Sequence, residues 1–277
     1  MAPAPAAGTP RESTTVPDTR TVRDALVLAA GNGDRFNNGS SESKLLQPVL
    51  GQPLILRTLH TAREAGIHTF HIVLGYRART LRALIEANVP AGALVNFLYN
   101  PDWQLENGLS VLAARRALRD RRFALLMGDH LFDASVLSRL LRTPAQPGES
   151  LLAVDSSLAD PDLAAEATKV RLSGNRITAI GQELGRYDAL DTGLFICDPS
   201  LFPALDSAVA EADTTLSAGI RRLAQRGAMR AVDVAGAAWF DIDTVADLET
   251  AESQLTRSRR GSRRALCARW AGQVEAV

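Results

Sequence analysis

Lysine is almost missing from this chain. Of 31 basic residues, 29 are arginine, and only Lys44 and Lys169 are lysine. Arginine is a broad planar fork and lysine a compact point charge, so a surviving lysine marks a place where the fork does not fit. Cysteine is as scarce. Cys197 and Cys267 are too few and too far apart for a disulfide framework or a zinc site, which leaves a reducing cytoplasm as the expected compartment. No apolar run approaches the ~18 residues of a membrane span, and the N-terminus carries no apolar signal core, so residues 1–22 read as a disordered lead-in. Net charge is zero, which removes any global attraction for nucleic acid. The balance is uneven, however: six arginines and one acid fall in residues 257–277, a basic tail with the character of a solvated end or a contact for anionic lipid. No internal repeat is visible.

What is present is an α/β pattern. Hydrophobic residues make up 46% of the 277 residues and charged ones 22%, ordinary for a globular domain that can bury a sizeable core. Strands are expected at Asp24–Ala30, Thr69–Leu74, Leu94–Leu98 and Phe123–Met127. Helices are expected at Leu54–Ala65 (closed by Gly66), Thr80–Ala87 and Leu109–Leu118, the last with Asn107 as N-cap. That alternation predicts a Rossmann-like, mostly parallel sheet flanked by helices. After Ser150 the pattern turns to shorter strands: Leu151–Val154, Thr168–Leu172, Arg176–Ile180 across a Gly174–Asn175 turn, Ala189–Cys197 and Met229–Val234. Helices Ser200–Ala208 and Leu216–Arg226 lie among them. A last helix, Thr244–Leu255, has Thr244 and Asp247 placed almost as a capping box. The reading is one domain over 23–256, with a small mixed-sheet lid at about 150–197.

Five segments carry candidate chemistry. The first runs from Leu26 to Ile55, where an apolar strand breaks into Gly31-Asn32-Gly33, followed by Arg35 and Lys44. Glycines let backbone N–H groups approach a polyphosphate and the two cations neutralise it. The third glycine of a dinucleotide fingerprint is missing (Phe36 stands there) and no P-loop G-K-[ST] follows. Alone, the turn is also what an ordinary tight turn looks like. In the second, Asn100–Ser110, Glu106, Asn107 and Ser110 are placed either to recognise a base or ribose or simply to cap a helix. In the third, Asp129 ends a parallel strand, where ligands of such sheets bind; it suits Mg²⁺ or a helix N-cap. In the fourth, Asp241 and Asp243 point the same way in an extended chain, toward a metal or toward the helix start that follows. The fifth comprises Lys169, on a strand, and Asp191-Thr192-Gly193, able to bond a polyol or to make a turn. His60, His68 and His71 lie on helix and strand surfaces without metal spacing.

In order and in residues, ENGLSVLAARRAL, LLMGDHLF, ITAIGQEL with YDALDTGLFICDPSLF, and WFDIDTVADLETAE resemble the nucleotidyltransferase superfamily that makes nucleoside-diphosphate sugars and alcohols. Within it, they are most similar to the cytidylyltransferases that activate inositol 1-phosphate. The resemblance runs from about Asp24 to Leu255. It implies that Ala29, Ala30, Gly31, Gly33, Arg35 and Lys44 hold CTP by its triphosphate side, with Glu106, Asn107, Gly108 and Ser110 near cytosine and ribose. It implies Asp129 and Asp243 as Mg²⁺ ligands, with Asp241 a close competitor. Lys169 would grip the acceptor phosphate, with Asp191 and Thr192 beside the acceptor's hydroxyls. Arg35, Lys44 and Lys169 would be the catalytic cations of a phospholipid-precursor step. The partners implied are CTP, a small phosphorylated acceptor and, downstream, a membrane-bound CDP-alcohol transferase, which in some organisms is fused to this domain. A phosphate acceptor is already ionised at neutral pH, so no base is needed and His130 is expected to have no catalytic role. A phosphonate, phosphocholine or sugar-phosphate acceptor, and a nucleotide-binding protein without turnover, are the competing readings. Choline is disfavoured because the lid holds only Tyr187 and Phe195 as aromatic faces.

Overall fold

The computed structural model describes residues 22–37, 42–157 and 167–256. The expected lead-in, part of the expected lid and the basic tail therefore lie outside the described residues, as does the Arg35 side chain. Thirteen strands are described: β1 Asp24–Ala29, β2 Pro48–Val49, β3 Gln52–Pro53, β4 Thr69–Leu74, β5 Leu94–Tyr99, β6 Phe123–Met127, β7 His130–Phe132, β8 Ser150–Asp155, β9 Lys169–Ser173, β10 Arg176–Gly181, β11 Ala189–Cys197, β12 Met229–Asp233 and β13 Trp239–Asp241. The helices are α1 Asp34–Asn37, α2 Leu54–Ala65, α3 Ala78–Ala87, α4 Asn107–Ala113, α5 Arg115–Leu118, α6 Ala134–Arg142, α7 Leu201–Val209, α8 Leu216–Gln225 and α9 over 245–256. No described helix is long and apolar enough to cross a membrane.

Nine strands form one sheet in the order β5-β4-β1-β6-β11-β8-β12-β10-β9. β1 is parallel to both β4 and β6, and β4 to β5. β11 enters antiparallel between β6 and β8, and β12 returns parallel to β8. Alternation along β1 sends Ala25, Val27 and Ala29 into one core, and Leu26 and Leu28 into the other, as period-two geometry requires. Helices α2, α3, α6 and α9 cover the first face, and α4, α5, α7 and α8 the second. Gly66 closes α2 with φ 119°, a left-handed position suited to glycine.

The strands expected to make the small mixed-sheet lid continue this sheet. Every residue of β8 is buried, as is all of β11 except Asp191, and strands apolar on both faces are satisfied only inside a covered sheet. The β9–β10 hairpin forms the far edge, and β9 also folds back onto β11. Three local expectations change as well. Asn107 does not cap α4; its Oδ1 accepts from Leu216 N, 109 residues away, at 2.9 Å. The helix expected over 109–118 breaks at Ala114 into α4 and α5. His71 is not on a surface: it is 6% exposed and its Nε2 lies 3.1 Å from Asp24 Oδ1.

Candidate active site

The site lies beyond the carboxyl ends of β1 and β6, where open α/β sheets bind ligands. After β1 the chain enters the glycine turn. Gly33 adopts φ +68°, and a Cβ there would sit 2.9 Å from Lys44 Cγ, so this glycine makes room for the lysine stem. Lys44 opens a short 3₁₀ turn capped by Ser43, whose Oγ accepts from Leu45 N. The buried ammonium then spans two carboxylates: Nζ lies 2.7 Å from Asp129 Oδ2 and 2.8 Å from Asp243 Oδ1, the latter 199 residues away in sequence.

Asp129 is delivered by a tight turn after β6. Gly128 N bonds Leu28 O at 2.9 Å, and a side chain on Gly128 would press on that carbonyl. The next residue, His130, begins β7, which pairs with β13 so that His130 stands opposite Asp241. His130 Nδ1 lies 3.0 Å from Asp129 Oδ1 and 3.5 Å from Asp241 Oδ1. Beyond β13, Asp247 receives bonds from Asp243 N, Thr244 N and Thr244 Oγ1, while Asp247 N bonds Thr244 Oγ1. This reciprocal cap is the one anticipated at the start of α9, and it fixes Asp243. Asp129, His130, Asp191, Asp241 and Asp243 all line one cleft of about 640 Å³.

The electrostatics are those of mutually compensating charges. Burial opposes the Lys44 charge, but Asp129 and Asp243 outweigh it and raise the ammonium well above its ordinary value. Burial likewise opposes ionisation of Asp129, yet Lys44 and His130 hold it below the usual carboxylate range. Burial would neutralise His130, but Asp241 and Asp129 push it up to about 9. Asp241 rises to about 6, first from burial and then from its neighbours Asp129 and Asp243, with His130 opposing. Asp191 also rises to about 6 through burial, partly offset by the Gly193 N–H it accepts at 2.7 Å. Such opposed shifts cluster where charge is handled.

Asp129, His130 and Asp241 each offer a ligand atom within 4.8 Å of the others, a group able to hold a metal ion. Among the described residues, Asp241 Oδ1 is buried without a hydrogen-bond partner, which fits a carboxylate able to take a cation. Asp243, expected beside Asp129 as a metal ligand, shares the Lys44 ammonium with it, and Asp241, its competitor, falls in the group with Asp129 and His130.

Other anticipated residues fall elsewhere. Ala29 and Ala30 are buried, and Ala30 O accepts from Tyr76 N. Gly31 is exposed. Glu106 is the exposed residue before α4 and makes no side-chain cap bond. Gly108 is required by packing, since a Cβ would strike Thr214 O. Two residues read as ligand contacts are buried: Ser110 accepts from the buried Asn100 at 3.0 Å, and the fully buried Thr192 donates to Ala153 O at 2.9 Å. Lys169 sits opposite Leu190 in the β9–β11 pair, beside Asp191, and its Nζ donates to Gln182 O at 2.9 Å while lying over the Tyr187 ring. Phe195 is 2% exposed and so offers no open face to a ligand. Residue-by-residue reading missed Asp155, which lines the cleft and accepts from Trp239 Nε1 at 3.0 Å. Its position at the carboxyl end of a strand, like that of Asp129, was the available signal.

A glycine turn, a lysine and strand-end aspartates gather above the parallel half of a mixed sheet, and the chain belongs to the MobA-like NTP transferase domain family, whose model matches residues 25–232. Among curated relatives, it is 38% identical over 248 residues to the "Bifunctional IPC transferase and DIPP synthase" of Rubrobacter xylanophilus, covering 87% of this chain and 54% of that protein. It is 29% identical over 270 residues to the "CMP-5'-(3-aminopropyl)phosphonate synthase" of Streptomyces rubellomurinus, covering 89% and 41% respectively. The chain thus spans about half the length of the curated relatives it matches most strongly. In fold it is similar to the inositol-1-phosphate CTP transferase from T. maritima, with a TM-score of 0.74, 24% identity, and coverage of 84% of this chain and 96% of that one.

Proposed function

We propose that this chain transfers a cytidylyl group from CTP to inositol 1-phosphate, releasing pyrophosphate and forming a CDP-alcohol for a membrane-bound CDP-alcohol transferase, and that it works in the cytoplasm with Mg²⁺. The observation that carries this reading is the buried Lys44 ammonium bridging Asp129 and Asp243 at a cleft also lined by Asp241 and Asp191. The family and the relatives named for IPC transferase support it.

A phosphate oxygen of the acceptor attacks the α-phosphorus of CTP, and the bond to pyrophosphate breaks. The acceptor is ionised at neutral pH, so positioning and charge neutralisation carry the catalysis. Two unit charges 4 Å apart repel by about 4 kcal/mol at an effective dielectric near 20. Lys44 offsets this on the triphosphate side, and Lys169 on the acceptor side. The hard oxygens of Asp129 and Asp241, with Asp243 adjacent, fit Mg²⁺; when bound, the ion supplies neutralising charge to the phosphates. Asp191, next to Lys169 in the sheet, accepts from acceptor hydroxyls.

The test is pyrophosphate release from four nucleoside triphosphates against a panel of phosphates and phosphonates. CTP with inositol 1-phosphate should exceed every other pair; no release from that pair, with turnover of another, rejects it. The aminopropylphosphonate-named relative favours a second reading in which a phosphonate is the acceptor, and the same panel decides between them.

A further inference from the structure

We infer that His130 is a positioning residue, whose imidazole, seated on Gly193, holds Asp129 through Nδ1 and keeps the Asp129 and Asp241 carboxylates converged on one cation. This rests on the metal reading above and adds a part to it. Asp129 divides its two oxygens: Oδ2 meets Lys44 at 2.7 Å and Oδ1 meets His130 Nδ1 at 3.0 Å. Without the imidazole, Lys44 would be the remaining side-chain partner of that carboxylate among the described residues, and the carboxylate would be free to turn about its own Cβ–Cγ bond. The same Nδ1 stands 3.5 Å from Asp241 Oδ1, the buried oxygen that has no hydrogen-bond partner among the described residues. One ring atom therefore spaces two carboxylates that would otherwise repel.

The ring itself is held from the other side. Gly193 has φ +75°, and a Cβ there would overlap both Cδ2 and Nε2 of His130. It lies in β11 where the register with β8 shifts between Asp191 and Phe195, an irregularity of the kind that re-aims side chains near sites. Gly193 thus serves as the floor of the imidazole, and its N–H is committed to Asp191. The backbone of β7 is anchored independently, since Thr58 Oγ1 lies 3.0 Å from His130 O. The contact needs only an N–H on Nδ1, which a neutral tautomer and the imidazolium both supply, so the role does not depend on titration. Groups that orient metal ligands in this way are worth roughly 10–100-fold in metal affinity or activity.

The experiment is a Mn²⁺ titration by EPR on the whole chain, without nucleotide, for wild type, His130→Ala, His130→Asn and Gly193→Ala, each with a thermal melt. The asparagine amide can place a donor near the Nδ1 position. His130→Ala should weaken Mn²⁺ binding by about 10-fold or more. His130→Asn should recover most of that loss, and Gly193→Ala, which displaces the ring without removing it, should weaken binding in the same direction. If wild type binds Mn²⁺ and His130→Ala binds equally well with only a lower melting temperature, the residue is merely structural and the inference fails. If His130→Asn is as weak as His130→Ala, the ring is a direct ligand and the positioning role is again rejected. Absence of Mn²⁺ binding by wild type overturns the metal reading itself, and this inference with it.

Discussion

Replacing Lys44 by Met removes one ammonium and almost nothing else. The stem that packs against Gly33 is retained in length, so the change isolates the charge. Two carboxylates then face each other without their shared cation. Losing one partner of a buried ion pair costs about 3–5 kcal/mol. Asp129 and Asp243 keep 26% and 16% side-chain exposure, so water relieves part of this and the lower end, about 3 kcal/mol, is expected. For a domain of this size that is a fall of about 6–12 °C in melting temperature. The assay is thermal and urea unfolding in EDTA and again in excess Mg²⁺, which should recover more of the variant's loss than it adds to wild type, because the cation takes over the vacated charge. The pH sign follows from Asp129, whose folded pKa is depressed. The wild-type advantage is fully present above the ordinary carboxylate range and declines as pH falls through it toward the depressed value. A variant that melts within 1–2 °C of wild type at neutral pH in EDTA, roughly half a kcal/mol, would refute the bridge as an energetic element.

Other outcomes follow from the same geometry. Lys44→Met should also lower turnover by about 10²–10³, the scale for removing one group that stabilises developing charge, measured as pyrophosphate release. Asp191 holds its proton more tightly when folded, with a pKa of about 6. The Asp191 contribution to metal-free stability should therefore fall between about pH 4 and 6 and stay low above, a span of up to roughly 3 kcal/mol, and Asp241, also raised to about 6, adds a fall of the same sign. Asp191→Asn should flatten that slope in urea titrations across pH, and an unchanged slope would assign it to another group. Lys169→Ala should raise the acceptor KM by at least about 10-fold, or 1.4 kcal/mol, while leaving the CTP KM in place. Gly33→Ala, strained at φ +68° and pressing on Lys44, should lose about 1 kcal/mol or more and move the lysine, seen as reduced CTP affinity in calorimetry.

The strands and helices with a single clear period could be read directly. β6 lies where its continuous apolar run places it, and β4 and β11 where their largely apolar runs do, because burial on both faces leaves few alternatives. α2 was legible from its stripe and Gly66. α6 was passed over although Asp133 caps it and Val136, Leu137 and Leu140 mark its face; nine residues among charged neighbours give a short signal. β7 and β13 are three residues each, too short for any period, and they are what bring Asp241 to His130. The rarity of lysine pointed to Lys44, but its partner Asp243 lies across the whole domain, a pairing that only the sheet order creates. The burial of Ser110 and Thr192 was hidden because a polar side chain near a ligand motif looks the same in sequence whether it faces the cleft or bonds to the core. The fate of Asn107 was hidden for the same reason, since its acceptor is claimed by the start of α8.

The most direct test of the converged cradle is a crystal soaked with Mn²⁺ and CTP, read by anomalous difference density. A peak between Asp129 and Asp241, with the triphosphate lying along Gly31–Gly33 and Lys44 turned to meet it, is the predicted result. Nucleotide bound outside the cleft, or manganese bound away from those carboxylates, would contradict the account.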